Sequence, residues 1–237
     1  MRTALVTGAN SGIGFATVER LLEDGYRVIA HIRADPGQLG ALENHERLRI
    51  LTADLSDIES IVGLSSDPGL LAIDILINNA ASYCFREDFY SILIDEVESL
   101  MRVNVIAPLI LSQAVLPGMT ERNWGRIINV SSVSVSHGGA ARSIDYTFSK
   151  SAMESMTITL SKSFAAQNVL VNSVRVGVTD TKIHQLNKTK NLKERIRSIP
   201  IGRMADPKEI VEMIAFLCSE RSSFVSGAIL EVTGGEK

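Results

Sequence analysis

The chain has no excess of positive charge. Its 24 lysines and arginines stand against 27 acids, a formal net charge of −3, which argues against a nucleic-acid partner. It has only two cysteines, Cys84 and Cys218. They form no CxxC pair and no metal-ligand spacing, so both read as reduced, packed thiols of a cytoplasmic protein, with no metal site. No run approaches the length expected of a membrane span, and the start does not read as a signal peptide, because Ala4-Leu5-Val6 runs straight into a glycine-rich stretch. We therefore expect neither membrane nor nucleic acid as a partner. With 237 residues and 45% apolar content, one domain spanning 1–237 with a large core is the economical reading.

What the chain does have is alternation. Short apolar runs lie at 4–6, 27–30, 48–51, 73–77, 126–130, 170–174 and 229–232. Helix-length stretches separate most of them, at 14–24, 58–64, 94–115, 146–166 and 207–217. That order predicts an α/β fold, a parallel sheet with helices on both faces. Gly25 is placed to end the first helix, and Asp206-Pro207 to start the last. Residues 182–203 are different: Lys182, Lys188, Lys190, Lys193, Arg195, Arg197 and Arg203 meet the single acid Glu194. The segment reads as a solvated helical face, or as a substrate lid whose charge meets an anion.

Thr7-Gly8-Ala9-Asn10-Ser11-Gly12-Ile13-Gly14 follows the first strand and opens the first helix. Glycines here allow a sharp turn at Gly8, close approach of a diphosphate at Gly12 and close helix packing at Gly14. The helix N-terminus would offer N–H groups and partial positive charge to the phosphates. The second strand ends Ala30-His31-Ile32-Arg33, with no acid at its tip. An acid there would bind the ribose hydroxyls of NAD, whereas Arg33 suits a 2′-phosphate, so NADP(H) is the expected cofactor despite Asp35 close by.

Tyr146 and Lys150 lie four residues apart on one helix face. A phenol needs its pKa lowered from about 10 by roughly 2–3 units to exchange protons near neutrality, and a neighbouring ammonium can supply that. Ser131-Ser132 ends an apolar strand, where a hydroxyl could hold a carbonyl oxygen as charge develops on it. Asn78-Asn79-Ala80 ends another, where asparagine side chains can tie loops together. Asn104 sits in a long helix, for which it is a poor former, and there it faces solvent, bends the helix or holds a water.

In this order, the pieces resemble the classical short-chain dehydrogenase/reductase family, in the style of its bacterial 3-oxoacyl-thioester reductases. The resemblance spans the chain and includes Asp54-Leu55, Gly202-Arg203, Ser226-Gly227 and Gly234-Gly235. It implies a single Rossmann domain with a seven-stranded sheet in the order 3-2-1-4-5-6-7. Tyr146 would be the proton donor, Lys150 would lower its pKa and bind the nicotinamide ribose, Ser132 would polarise the carbonyl, and Asn104 would hold a water. The cofactor would lie on Gly8, Asn10, Ser11, Gly12, Ile13 and Gly14. Further along the chain it would touch Arg33, Asp54, Leu55, Asn79, Ala80, Gly177, Val178 and Thr181. Relatives are commonly homotetramers that pair the helices at 94–115 and 146–166, so a homo-oligomer is expected.

Three positions depart from the family pattern. Ala81 replaces a glycine, Val176 replaces a proline and so loosens the loop that follows, and Ser11 stands where many NADP-dependent relatives have arginine. Asn123 and Gln167 occupy positions where carrier-protein reductases use arginine. This argues against an acyl carrier protein as partner, although Arg122 and the basic segment could substitute. The leading expectation is an NADPH-dependent reductase of a ketone or 3-oxoacyl thioester. The alternatives are an NAD-linked alcohol or sugar dehydrogenase and a non-catalytic dinucleotide-binding regulator.

Overall fold

The five inner apolar runs become strands covered on both faces, and the two edge runs, at 48–52 and 229–232, are half-buried. A computed structural model of the chain describes residues 1–181 and 192–237. Its strands are β1 (Thr3–Thr7), β2 (Arg27–Ile32), β3 (Leu48–Thr52), β4 (Ile75–Asn78), β5 (Gly125–Ser132), β6 (Val169–Val176) and β7 (Ile229–Val232). All seven pair in parallel in one sheet ordered β3-β2-β1-β4-β5-β6-β7, the order the family resemblance implies. Alternate residues go to opposite sides. Ala4 and Val6 pack with α1 (Gly12–Glu23) and the last long helix, Pro207–Cys218, while Leu5 packs with α2 (Ile58–Ser65) and the helix Ala107–Glu121. Strand order reverses at β1, which lies between β2 and β4, and in such sheets ligands bind beyond the strand C-termini at that switch point.

Local chemistry sets the helix ends. At Gly25 (φ 86°) the chain leaves α1, as Gly25 N–H donates to the Leu22 carbonyl at 3.1 Å and Tyr26 N–H to Leu21 at 2.9 Å. Asp206 and Glu209 cap the last long helix reciprocally, with Lys208 N–H on Asp206 at 2.8 Å and Asp206 N–H on Glu209 at 2.8 Å. The helix expected over 94–115 instead runs to Glu121, as α3 (Ile94–Met101), a π-turn over Arg102–Ile106 and α4 (Ala107–Glu121). By length and composition this 28-residue helix could cross a membrane, which corrects the reading that no segment approaches that length. Its apolar character has a local cause: Ala107, Leu111, Val115 and Met119 are buried in the core beneath the sheet.

After β5 come α5 (Ser134–His137) and α6 (Ile144–Phe164). Beyond β6, α7 (Leu192–Arg197) precedes α8 (Pro207–Cys218). Of the segment expected as a lid, 182–191 lie outside the described residues.

Candidate active site

The C-terminal ends of the strands open into a cleft of about 730 Å³, within the range of about 300–1,000 Å³ usual for ligand sites. Every residue expected to hold the cofactor lines it, from Gly8 through Arg33, Asp54 and Asn79 to Thr181.

The glycine loop forms its floor. Gly8 has φ 64°, and a Cβ on it would meet Ala80 Cα at 2.8 Å. A Cβ on Gly14 would lie 2.2 Å from the Gly8 carbonyl oxygen, so only glycine lets α1 start this close to β1. Ser11, at the N-cap, makes no side-chain cap, and the first-turn residues Gly12 and Ile13 face the cleft. Two neighbours brace the loop. Asn79 Nδ2 donates to the carbonyls of Thr7 (2.9 Å) and Gly8 (3.1 Å), while Thr7 Oγ1 accepts from the N–H groups of Asn79 and Ala80 at 3.0 Å each. His31, given no role by the sequence, accepts from Gly8 N–H at Nδ1 (3.4 Å), so its Nε2 proton serves the Ala53 carbonyl at 3.0 Å. Burial pushes its pKa down, in keeping with a neutral imidazole.

At the adenosine end, Arg33 is exposed and lines the cleft. Hydrogen bonds from Ser56 hold the Asp54 carboxyl below its ordinary range, with the nearby Arg33 charge adding to the effect. Asp35 is exposed. Its Oδ1 accepts from Gly37 N–H at 3.0 Å, and its carbonyl accepts from Asn10 Nδ2 at 3.1 Å.

Tyr146 and Lys150 project from the first turns of α6 towards Ser132 at the tip of β5, and all three line the cleft. Tyr146 has its pKa pushed up to about 12, mainly by burial, with a hydrogen bond from Ser132 opposing the shift and Tyr83 adding to it. Lys150 is not among the groups that shift it. Lys150 Nζ donates instead to the Val130 carbonyl at 2.8 Å and sits 5.8 Å from the Tyr146 ring centre. Burial has pulled its own pKa down to about 8.

Asn104 does not reach the cleft. It is fully buried at the centre of the π-turn. Its Oδ1 accepts from Ser82 N–H (2.7 Å), and its Nδ2 donates to the Ser82 carbonyl and to Ser149 Oγ, both at 3.0 Å. The loop after β6 is also firmer than the missing proline suggests. Thr179 bridges Ala205, with Ala205 N–H on the Val178 carbonyl at 2.9 Å and Asp180 N–H on the Ala205 carbonyl at 2.9 Å. Gly177 packs so tightly on β7 that a Cβ would meet Thr233 Cα at 2.8 Å.

Tyr83 and Phe85 are among the cleft residues that sequence reasoning gave no role, while Arg195 of the basic segment also lines the cleft. The run Tyr83-Cys84-Phe85, aromatic and directly downstream of a strand tip, was the available signal. No group of three His, Cys, Asp or Glu suited to a metal occurs among the described residues.

A family model described as Enoyl-(Acyl carrier protein) reductase matches residues 8–237. The oxidoreductase YmfI of Bacillus subtilis (strain 168) is 33% identical over 246 residues, covering 99% of this chain and 98% of that protein. The 3-oxoacyl-(acyl-carrier-protein) reductase FabG of Vibrio cholerae is 31% identical, covering 99% and 96%. A solved 3-oxoacyl (acyl-carrier-protein) reductase of Agrobacterium tumefaciens C58 with NADP bound superposes with a TM-score of 0.89 at 29% identity, covering 99% and 93%. A solved 4-hydroxyisoleucine dehydrogenase complexed with NADH gives 0.91 at 29%, covering 100% and 99%. A likeness that runs through sheet order, glycine loop and almost the full length places the chain in the short-chain dehydrogenase/reductase family of oxidoreductases.

Proposed function

We propose that the protein is an NADPH-dependent carbonyl reductase acting on a ketone of the 3-oxoacyl-thioester kind, with Tyr146 as proton donor. The observation that carries this reading is a half-buried phenol that shares a glycine-floored cleft with Ser132 and Lys150. A phenol protonated at neutral pH has a proton to give to a developing alkoxide.

The cradle fits a dinucleotide: glycine backbone at Gly8, Gly12 and Gly14 lines it, and the uncapped start of α1 suits a diphosphate. Arg33, exposed at the cleft, suits a 2′-phosphate. A nicotinamide cofactor supplies the hydride when bound. The protein's own groups do the rest. Ser132 orients the substrate oxygen and Tyr146 protonates it. Lys150 donates to the Val130 carbonyl and weakly to Met153 Sδ, which leaves one of its three N–H donors for a ribose hydroxyl. Asn104 braces the loop at Ser82 against α6.

The test is NADPH oxidation with an acetoacetyl thioester, comparing the wild type with Tyr146→Phe. We expect the variant to bind NADPH normally and to lose about 100-fold or more in kcat, the scale of general-acid catalysis. An unchanged kcat would remove Tyr146 from the chemistry. The relatives 3-oxoacyl-(acyl-carrier-protein) reductase and acetoacetyl-CoA reductase support the thioester. The relative complexed with NADH supports a second reading, an NAD-linked dehydrogenase.

A further inference from the structure

Tyr83 and Phe85 are cleft residues for which the proposed proton chemistry has no use. The Tyr83 ring stands edge-on to the Tyr146 ring with centres 5.1 Å apart, and it tilts against Phe85 at 5.0 Å. The segment carrying them is pinned on both sides. Just before it, Asn104 holds both backbone groups of Ser82, at 2.7 and 3.0 Å. Just after it, the buried guanidinium of Arg86 donates to Asp145 at 2.9 Å and to Glu96 at 2.8 Å.

Both anchors lead to the same place. Asn104 also donates to Ser149, and Ser149 and Asp145 flank Tyr146 on α6. The aromatic segment is therefore fastened at either end to the helical turn that carries the phenol. A buried guanidinium–carboxylate pair is a weak source of stability, and this one leaves Arg86 Nη2 and Asp145 Oδ1 without partners. Its evident effect is to fix position. Phe85 itself is partly exposed, as are Phe89, Tyr90, Leu93 and Ile94 downstream.

We infer that Tyr83 and Phe85 form a fixed apolar wall that selects ketones with an extended or flat apolar substituent beside the carbonyl and disfavours polyhydroxylated ketones. An apolar chain gains by leaving water against the rings, whereas hydroxyl groups placed there lose water and find no partner. This inference rests on the carbonyl-reductase reading and names the substrate class of that site.

The experiment compares kcat/KM for 3-oxobutanoyl and 3-oxodecanoyl thioesters and for fructose, in the wild type, Tyr83→Ala, Tyr83→Phe and Phe85→Ala. The last variant leaves the Tyr83–Tyr146 contact in place. The wild type should prefer the decanoyl over the butanoyl substrate by about 10-fold or more, the scale on which apolar pockets discriminate. Tyr83→Ala and Phe85→Ala should lose most of that preference while NADPH affinity holds, and Tyr83→Phe should keep it. Equal use of both chains, best use of fructose, or a uniform loss on all substrates in both alanine variants would overturn the wall. A parallel measurement needs no turnover: quenching of bound NADPH fluorescence by 3-hydroxybutanoyl and 3-hydroxydecanoyl thioesters. Tighter binding of the longer chain that depends on Tyr83 and Phe85, with no ketone turned over, would leave the wall standing and remove the reductase reading. Binding indifferent to chain length would overturn the wall whatever the turnover.

Discussion

Lys150 is a buried cation with its pKa pulled down to about 8 by burial, bonded to the Val130 carbonyl. Ribose hydroxyl oxygens within reach would favour the charged form and raise that pKa. Near pH 8 the free enzyme carries this lysine partly deprotonated, so NADPH binding should take up a fraction of a proton. Calorimetric titration in two buffers of different ionisation enthalpy measures it; Lys150→Met should abolish the uptake, and equal uptake in that variant would assign the proton elsewhere. The sequence made Tyr146, Lys150 and Ser132 legible because their residue types and order are specific. Four-residue spacing alone says nothing about where the ammonium points, and Lys150 Nζ donates to the Val130 carbonyl. Nor does local pattern show that Asn104 spends its amide on Ser82 and Ser149.

The elements read well wherever a local cause exists. Gly25 and the Asp206–Glu209 box end and begin helices as their residue types demand. The π-turn at Arg102–Ile106 and the short helix Ser134–His137 were illegible, since packing by distant residues shapes both. Two predictions belong to this scale. Gly14→Ala sets a methyl 2.2 Å from the Gly8 carbonyl oxygen, and the forced shift should destabilise the fold by about 1–3 kcal/mol. It should also weaken NADPH binding, with denaturant midpoint and cofactor titration as readouts; wild-type values in both would refute the close-packing argument. Glu209 has its pKa depressed from 4.5 to about 2, first by Arg203 and then by Asp206 N–H. A carboxylate depressed on folding stabilises above its unfolded pKa and loses that contribution as pH falls through the folded one. The denaturant midpoint of Glu209→Gln should thus lie below that of the wild type at pH 7, and the gap should narrow below about pH 4.5. A constant gap would show that the charge does not matter.

At the scale of the whole molecule, alternating apolar runs were enough to read a covered parallel sheet, and the family resemblance supplied its order, observed as β3-β2-β1-β4-β5-β6-β7. What stayed hidden was contact between segments distant in sequence, such as the bridge from Thr179 to Ala205 and the aromatic wall at Tyr83 and Phe85. Ile144, Phe148 and Ile158 are exposed along one stripe of α6, and Leu109 is exposed on α4. Such a stripe is the kind of face that pairs between copies. We expect light scattering to report a homo-oligomer and Phe148→Asp to reduce its mass; a monomeric wild type would contradict this. The central claim is an NADPH-dependent carbonyl reductase, and nicotinamide absorbance decay with a 3-oxoacyl thioester, run with NADPH and then NADH, tests it most directly. The account predicts rapid loss of NADPH absorbance and slow loss of NADH absorbance, with the difference shrinking in Arg33→Ala. Preference for NADH, or no decay with either cofactor, would contradict it.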